Sequence, residues 1–239
     1  MKQILLITDG CSNVGVSPVI AAAQAHAEGI TVNVIGVVDQ GELGMLGSEE
    51  IREIAAAGGG MSRIVNSGHL SQTVQMMTRK TVASTIQQAV GKELQHILGT
   101  TQLEQLPPHQ RAEVVQVIDN MSETSSLRVA LLIDASASMR PKLAAVREAI
   151  HDLLLSLRAR AGKSELAVFH FPATKNRDEE VEMDLDWTNE LAKLDKMFYK
   201  INMKGTTPTG PALLHTLQFV AEKPFIQPVE DGMMSDYVV

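Results

Sequence analysis

The chain holds 239 residues, 44% of them hydrophobic, and its 21 Lys plus Arg against 28 Asp plus Glu give a net charge of −7. That length buries a sizeable core, and an acidic balance with no basic run leaves no electrostatic footprint for nucleic acid. The apolar runs, such as Ile4 to Ile7, fall far short of the ~20 residues that span a bilayer, and the lone Cys11 allows no internal disulfide, so a cytoplasmic setting is expected.

Ile4 to Ile7 predicts a buried strand ending at Thr8, Asp9 and Gly10, rather than an export signal, since no small-residue cleavage site follows. A helix over Pro18 to Glu28 stops at Gly29, and Ile30 to Val38 is a second β-branched strand ending in Asp39. Ser48, followed by two glutamates, is placed to cap a helix running to Ala57, which Gly58-Gly59-Gly60 would end before a short strand at Arg63 to Val65. Alternation of near-continuous apolar strands with helices predicts an α/β fold: a doubly wound, mostly parallel sheet covered on both faces. From about Ser71 to Leu98, Val74, Met77, Val82, Ile86, Val90 and Leu94 recur on one face of a long helix, and Pro107-Pro108 opens another to about Met121. After the polar stretch Ser122 to Ser126, strands resume with Leu127 to Ile133, ending in Asp134, and Pro141 to Leu157 is helical. Glu165 to Phe171 and Val181 to Trp187 form a predicted hairpin around Lys175 to Glu180; helices over Leu191 to Lys200 and Pro211 to Val220 follow. All eight aromatic residues lie from Phe169 onward, which excludes a base-stacking platform before it.

Ile4 to Asp9 and Val129 to Asp134 are near-repeats, each a buried-type strand finishing on a carboxylate. In a parallel sheet both carboxylates emerge at the carboxyl edge, where ligands bind. Asp134-Ala135-Ser136-Ala137-Ser138 adds two hydroxyls at alternate positions, and the loop before Pro211 can deliver Thr207. Carboxylates and hydroxyls are hard oxygen donors, which suit Mg²⁺.

These residues resemble the von Willebrand factor type A (VWA) domain family, whose metal-ion-dependent adhesion site (MIDAS) combines D-x-S-x-S with a distant Thr and a distant Asp. Asp134, Ser136 and Ser138 match the first part, Thr207 within Thr207-Pro208-Thr209-Gly210 the second, and Asp9 within Leu6-Ile7-Thr8-Asp9-Gly10 the third. The order of motifs is inverted relative to the family, which implies a circularly permuted, Rossmann-like VWA fold. The expected layout is the family's C-terminal half at 1–80, a helical linker at 81–126, its N-terminal half at 127–220 and a loose tail at 221–239. Both halves would meet within a monomer; exchange between two chains, a domain-swapped dimer, is the alternative. The motif order also resembles small VWA proteins of endospore-forming bacteria.

The resemblance implies a non-enzymatic module in which Ser136, Ser138 and Thr207 bind Mg²⁺ (or Mn²⁺ or Ca²⁺) and Asp134 and Asp9 act largely through water. The open position of the ion would attract an Asp or Glu of a protein partner; neither nucleic acid nor membrane is expected as a partner. Competing readings are a helix-capping role for Asp134, Ser136 and Ser138, a Mg²⁺-dependent phosphohydrolase using Asp134, and a helical scaffold using residues 71–121 without metal. Arg140, Asp39 and Glu42 are read as solvated, the acidic set Asp178 to Asp186 as an exposed strand face, and the seven scattered histidines as no zinc site. Gly162-Lys163-Ser164 is no phosphate loop, because Leu157 stands where glycine is needed.

Overall fold

Six strands form one sheet in the order β3-β2-β1-β4-β5-β6 in this computed structural model, which describes residues 1–10, 12, 14–38, 45–98, 107–173, 180–196 and 207–222. The strands are β1 (Lys2–Thr8), β2 (Thr31–Val37), β3 (Gly59–Val65), β4 (Leu127–Asp134), β5 (Ser164–Phe171) and β6 (Glu182–Thr188). β1 to β5 run parallel and β6 is antiparallel at one edge. The α/β, doubly wound architecture expected from the apolar runs is thus the observed one. Expectations about Cys11, Asp39, Glu42, most of the 175–180 turn, residues 197–206 and the tail beyond Glu222 fall outside the described residues.

Alternation along the strands sorts their side chains onto two faces. Leu5, Ile7, Ile35, Val129, Leu131, Ile133, Leu166 and Val168 pack beneath α3 (Leu70–Leu98) and α5 (Leu143–Arg158). On the other face Ile4, Leu6, Val32, Val34, Ala130, Leu132, Ala167 and Phe169 meet α1 (Pro18–Ala27), α2 (Met45–Ala57) and α6 (Thr209–Ala221). α5 shows how spacing does this: Val146, Ile150, Leu153, Leu154 and Leu157 recur every three or four residues and are all buried. Each contributes about 1.5–3 kcal/mol of burial. α3 continues unbroken past residue 80 and sinks Val82 and Ile86 into the same core as Val74 and Met77.

Several boundaries differ from those expected, each for a local reason. α2 starts at Met45, so Ser48 lies inside the helix rather than at its cap. β3 starts already at Gly59, because its backbone pairs with Val32 of β2. α4 (Pro108–Thr124) runs through the polar stretch, where the Ser122 and Thr124 hydroxyls donate back to the carbonyls of Ile118 and Asn120 at 2.7 and 2.8 Å. Its end is held by Arg160, whose guanidinium donates to the carbonyls of Ser122 (2.5 Å) and Ser125 (2.9 Å) and to Ser164 Oγ (2.6 Å). Ala137–Lys142 forms a 3-10 turn ahead of α5, not the first turn of the helix, and Leu191–Lys196 is likewise 3-10.

β1 and β4 lie side by side in parallel register, Ile7 against Ile133. From β1 the chain proceeds outward through β2 to β3, and from β4 in the opposite direction through β5 to β6. The strand order therefore reverses between β1 and β4, and the crevice beyond their carboxyl ends is where open α/β sheets receive ligands.

Candidate metal site

Both strand-end carboxylates stand at that reversal. Asp134 is fully buried; its Oδ1 accepts the Ser136 N–H at 2.8 Å and its Oδ2 accepts Thr8 Oγ1 at 2.8 Å. The loop after β4 is anchored from below, since Ala135 and Met139 are both buried and Met139 N–H closes a turn onto the Ser136 carbonyl at 3.0 Å. Between these two anchors Ser136 and Ser138 bring their Oγ atoms to 3.1 Å of each other. Ser138 Oγ donates to Asp9 Oδ1 at 2.8 Å, across 129 positions of sequence. Asp9 Oδ2 receives Lys142 Nζ at 2.5 Å.

Four of the five residues singled out by the sequence, Asp9, Asp134, Ser136 and Ser138, thus form one hydrogen-bonded cluster. Thr207 precedes α6 at the same edge, and its carbonyl accepts Ser12 Oγ at 3.4 Å. Ser12 N–H in turn donates to Glu50 Oε2 of α2 at 2.8 Å, so the loop after β1 is tied to both α2 and the start of α6. α6 is seated very closely there: a Cβ on Gly210 would stand 1.7 Å from the Val16 carbonyl oxygen. A capping role for the D-x-S-x-S segment does not account for the geometry, since Ser136 flanks the 3-10 turn without making a side-chain cap bond.

Burial pushes the Asp134 carboxyl above its usual range, although the backbone and hydroxyl of Ser136 and the hydroxyl of Thr8 pull it down; the Asp9 charge adds to the upward push. Among the described residues no cation forms an ion pair with this buried carboxylate, and a divalent cation would supply a counter-charge. The donors gathered here are carboxylate and hydroxyl oxygens, the set that suits Mg²⁺. Thr209 Oγ1, in the first turn of α6, is buried and has no hydrogen-bond partner among the described residues. The residues present therefore fit a hard divalent ion. Among the described residues no group of three or more His, Cys, Asp or Glu gathers to hold a metal.

The chain is 48% identical over 221 residues to the uncharacterized protein YabS of Bacillus subtilis strain 168, covering 92% of this chain and 89% of that protein. The chain belongs to the YabS family. An uncharacterized protein of Alicyclobacillus acidocaldarius has the same fold in its crystal structure, with a TM-score of 0.85 at 43% identity over 93% of this YabS relative and 94% of that chain. Proximal thread matrix protein 1 of the mussel byssus, solved with a zinc-occupied MIDAS motif, overlaps with a TM-score of only 0.27 at 16% identity, over 86% of this chain and 43% of that one. Likeness that loose carries no argument. No family model matches the chain.

Two site residues escaped the sequence reading. Thr8 is a buried hydroxyl directly after the apolar run Ile4 to Ile7, a detectable signal. Lys142 follows Ser138 by four residues; the sequence directs attention to Arg140 instead, and Arg140 is exposed. The acidic strand face needs correction as well. Glu182 and Asp184 are mostly covered and flank the buried His170, Asp184 Oδ2 lying 2.7 Å from Nδ1 and Glu182 Oε2 3.8 Å from Nε2. Only tertiary pairing of β5 with β6 brings these three together. Among the described residues no helix is long and apolar enough to cross a membrane.

Proposed function

We propose that this chain is a circularly permuted VWA-type domain that binds an acidic side chain of a protein partner through Mg²⁺, without turnover. The observation that carries this reading is the 2.8 Å bond from Ser138 Oγ to Asp9, which joins the D-x-S-x-S segment to the distant Thr-Asp-Gly segment. Ser136, Ser138 and Thr207 would hold the ion, with Asp134 and Asp9 behind them; Mn²⁺ or Ca²⁺ would use the same donors. The bound ion supplies an electrophilic position that a partner carboxylate completes. Exposed apolar residues at the same edge favour a protein surface as the partner: Val14 and Val16 follow β1, and Leu46, 77% exposed, opens α2.

A phosphohydrolase reading has less support, because both oxygens of Asp134 are engaged and the side chain has no exposure for attack on a phosphorus atom. One chain supplies both halves of the sheet through β1–β4 pairing, so we infer a monomer; light scattering should return a mass near 25.9 kDa, and twice that mass would instead support exchanged halves. The test of the metal is thermal unfolding of wild type and Asp134→Ala in Mg²⁺ and in EDTA. An ion present at a hundred times its Kd adds about 2.7 kcal/mol to the wild type and nothing to the variant. Capture of partners from cell extract should then depend on Mg²⁺ and on Asp134. Equal unfolding of wild type in both buffers at millimolar Mg²⁺ would refute the proposal.

A further inference from the structure

Lys142 closes the 3-10 turn Ala137–Lys142 and directly precedes the first turn of α5, and its side chain makes no cap bond. That side chain is only 12% exposed and that of Asp9 only 3%, with Nζ and Oδ2 2.5 Å apart. A surface lysine keeps its strongly hydrated ammonium in water at little cost. Here the ammonium instead reaches in toward the donors that face the crevice.

The pairing uses the whole Asp9 carboxylate, Oδ1 being taken by Ser138 and Oδ2 by Lys142. Ser138 in turn lies 3.1 Å from Ser136, whose N–H is held by Asp134. The ammonium therefore sits one carboxylate away from the hydroxyls that would hold the ion. A divalent ion held by Ser136 and Ser138 and an ammonium on the Asp9 carboxylate behind them repel each other strongly at separations of a few ångströms in a half-buried crevice. One of them has to move, and the lysine, on a flexible four-carbon stem, is the mobile partner.

We propose that Lys142 is a tethered counter-cation that closes the Asp9 side of the site and swings out when Mg²⁺ binds, so that the empty site is self-occluded. This inference rests on the metal reading above and deepens it. The lysine weakens metal affinity while keeping the ion-free Asp9 neutralised, which sets a threshold of Mg²⁺ that the site answers to. It also frees a cation at the rim at the moment of binding, next to the place where a partner carboxylate arrives.

The test titrates full-length wild type, Lys142→Met, Lys142→Gln and Asp134→Ala with MgCl₂ by calorimetry, after circular dichroism has established that each variant is folded. At least tenfold tighter binding by both Lys142 variants than by wild type is expected, with none by Asp134→Ala. Wild-type binding with equal or weaker binding by the Lys142 variants overturns the tethered cation and leaves the metal reading standing. No binding by any chain overturns both. A readout free of mutation is acylation of wild-type lysines by an N-hydroxysuccinimide ester, followed by peptide mass spectrometry, with Lys163, 70% exposed, as the internal reference. Lys142 labelling should rise at least fivefold from EDTA to Mg²⁺; labelling that stays level or falls overturns the proposal.

Discussion

Gly210 offers a sharp test of how the site is assembled. Its missing side chain lets the first turn of α6 lie against the loop before α1: a Cβ would stand 1.7 Å from the Val16 carbonyl oxygen, 2.7 Å from its carbon and 3.1 Å from the Pro18 nitrogen. All three are backbone atoms, so no side-chain end can rotate away. Considered as a helix residue alone, Gly210→Ala should stabilise α6 by up to about 1 kcal/mol. Considered as a contact, it forces two backbone segments apart, an overpacking that costs about 3 kcal/mol at the upper end of the usual range. The net expectation is a loss of about 2 kcal/mol, which for a chain of this size lowers Tm by about 4–8 °C. Thermal unfolding followed by circular dichroism, on wild type and variant in the same buffer, measures it. Because the same contact seats Thr207 beside Ser12, the variant should also weaken Mg²⁺ binding. A Tm that stays level or rises would refute the close approach, and with it the placing of α6 against the loop after β1.

The opposite sign is expected at Gly91, which lies within α3 with nothing inside 4 Å of its missing Cβ: Gly91→Ala should raise Tm, by about 0.5–1 kcal/mol of helix stability, measured by the same unfolding curves. Arg160→Ala removes two donated bonds from the end of α4 and one from Ser164 of β5 and should cost about 2 kcal/mol by chemical denaturation, with hydrogen exchange rising first at residues 118–124. Glu165 is held below the usual carboxylate range by hydrogen bonds from Lys163 and Arg128, with burial opposing. Its contribution to stability is complete above the ordinary carboxylate value and disappears as pH falls through that value toward the lowered one. Glu165→Gln should therefore be less stable than wild type at pH 7, with the gap closing below about pH 4 in acid unfolding curves.

The two carboxylates were legible because a fully buried parallel strand is an uninterrupted apolar run, so the first charge after Ile7 and after Ile133 marks where each strand leaves the core. The hydroxyls at 136 and 138 were legible from their spacing in the D-x-S-x-S segment that directly follows the strand. Asn33 was not. It is completely buried on β2, yet its amide donates to Gln3 (3.2 Å) and Thr81 (2.9 Å) and its carbonyl accepts the Met61 N–H at 3.0 Å. Those partners come from β1, α3 and β3, and a linear reading has no means of pairing them. Lys142 was missed on the same grounds, because its partner lies 133 positions away. Helix ends were the least legible: local hydrogen bonds of Ser122 and Thr124 carry α4 further than their residue types suggest.

The neighbouring of β1 and β4 also has a consequence for how the molecule comes into being. Thr8 and Asp134, which touch in the finished protein, are 126 positions apart, so at ribosomal speeds of about 5–20 residues per second the first waits about 6–25 s for the second. During that interval β1 can pair with β2 alone, and its other flank presents bare N–H and C=O groups next to Ile4, Leu5, Leu6 and Ile7. Such a flank is a template for adhesion to other nascent chains. The long amphipathic α3, made in the meantime and able to cover one face of β1 and β2 before β4 emerges, is the element placed to shield the unfinished half.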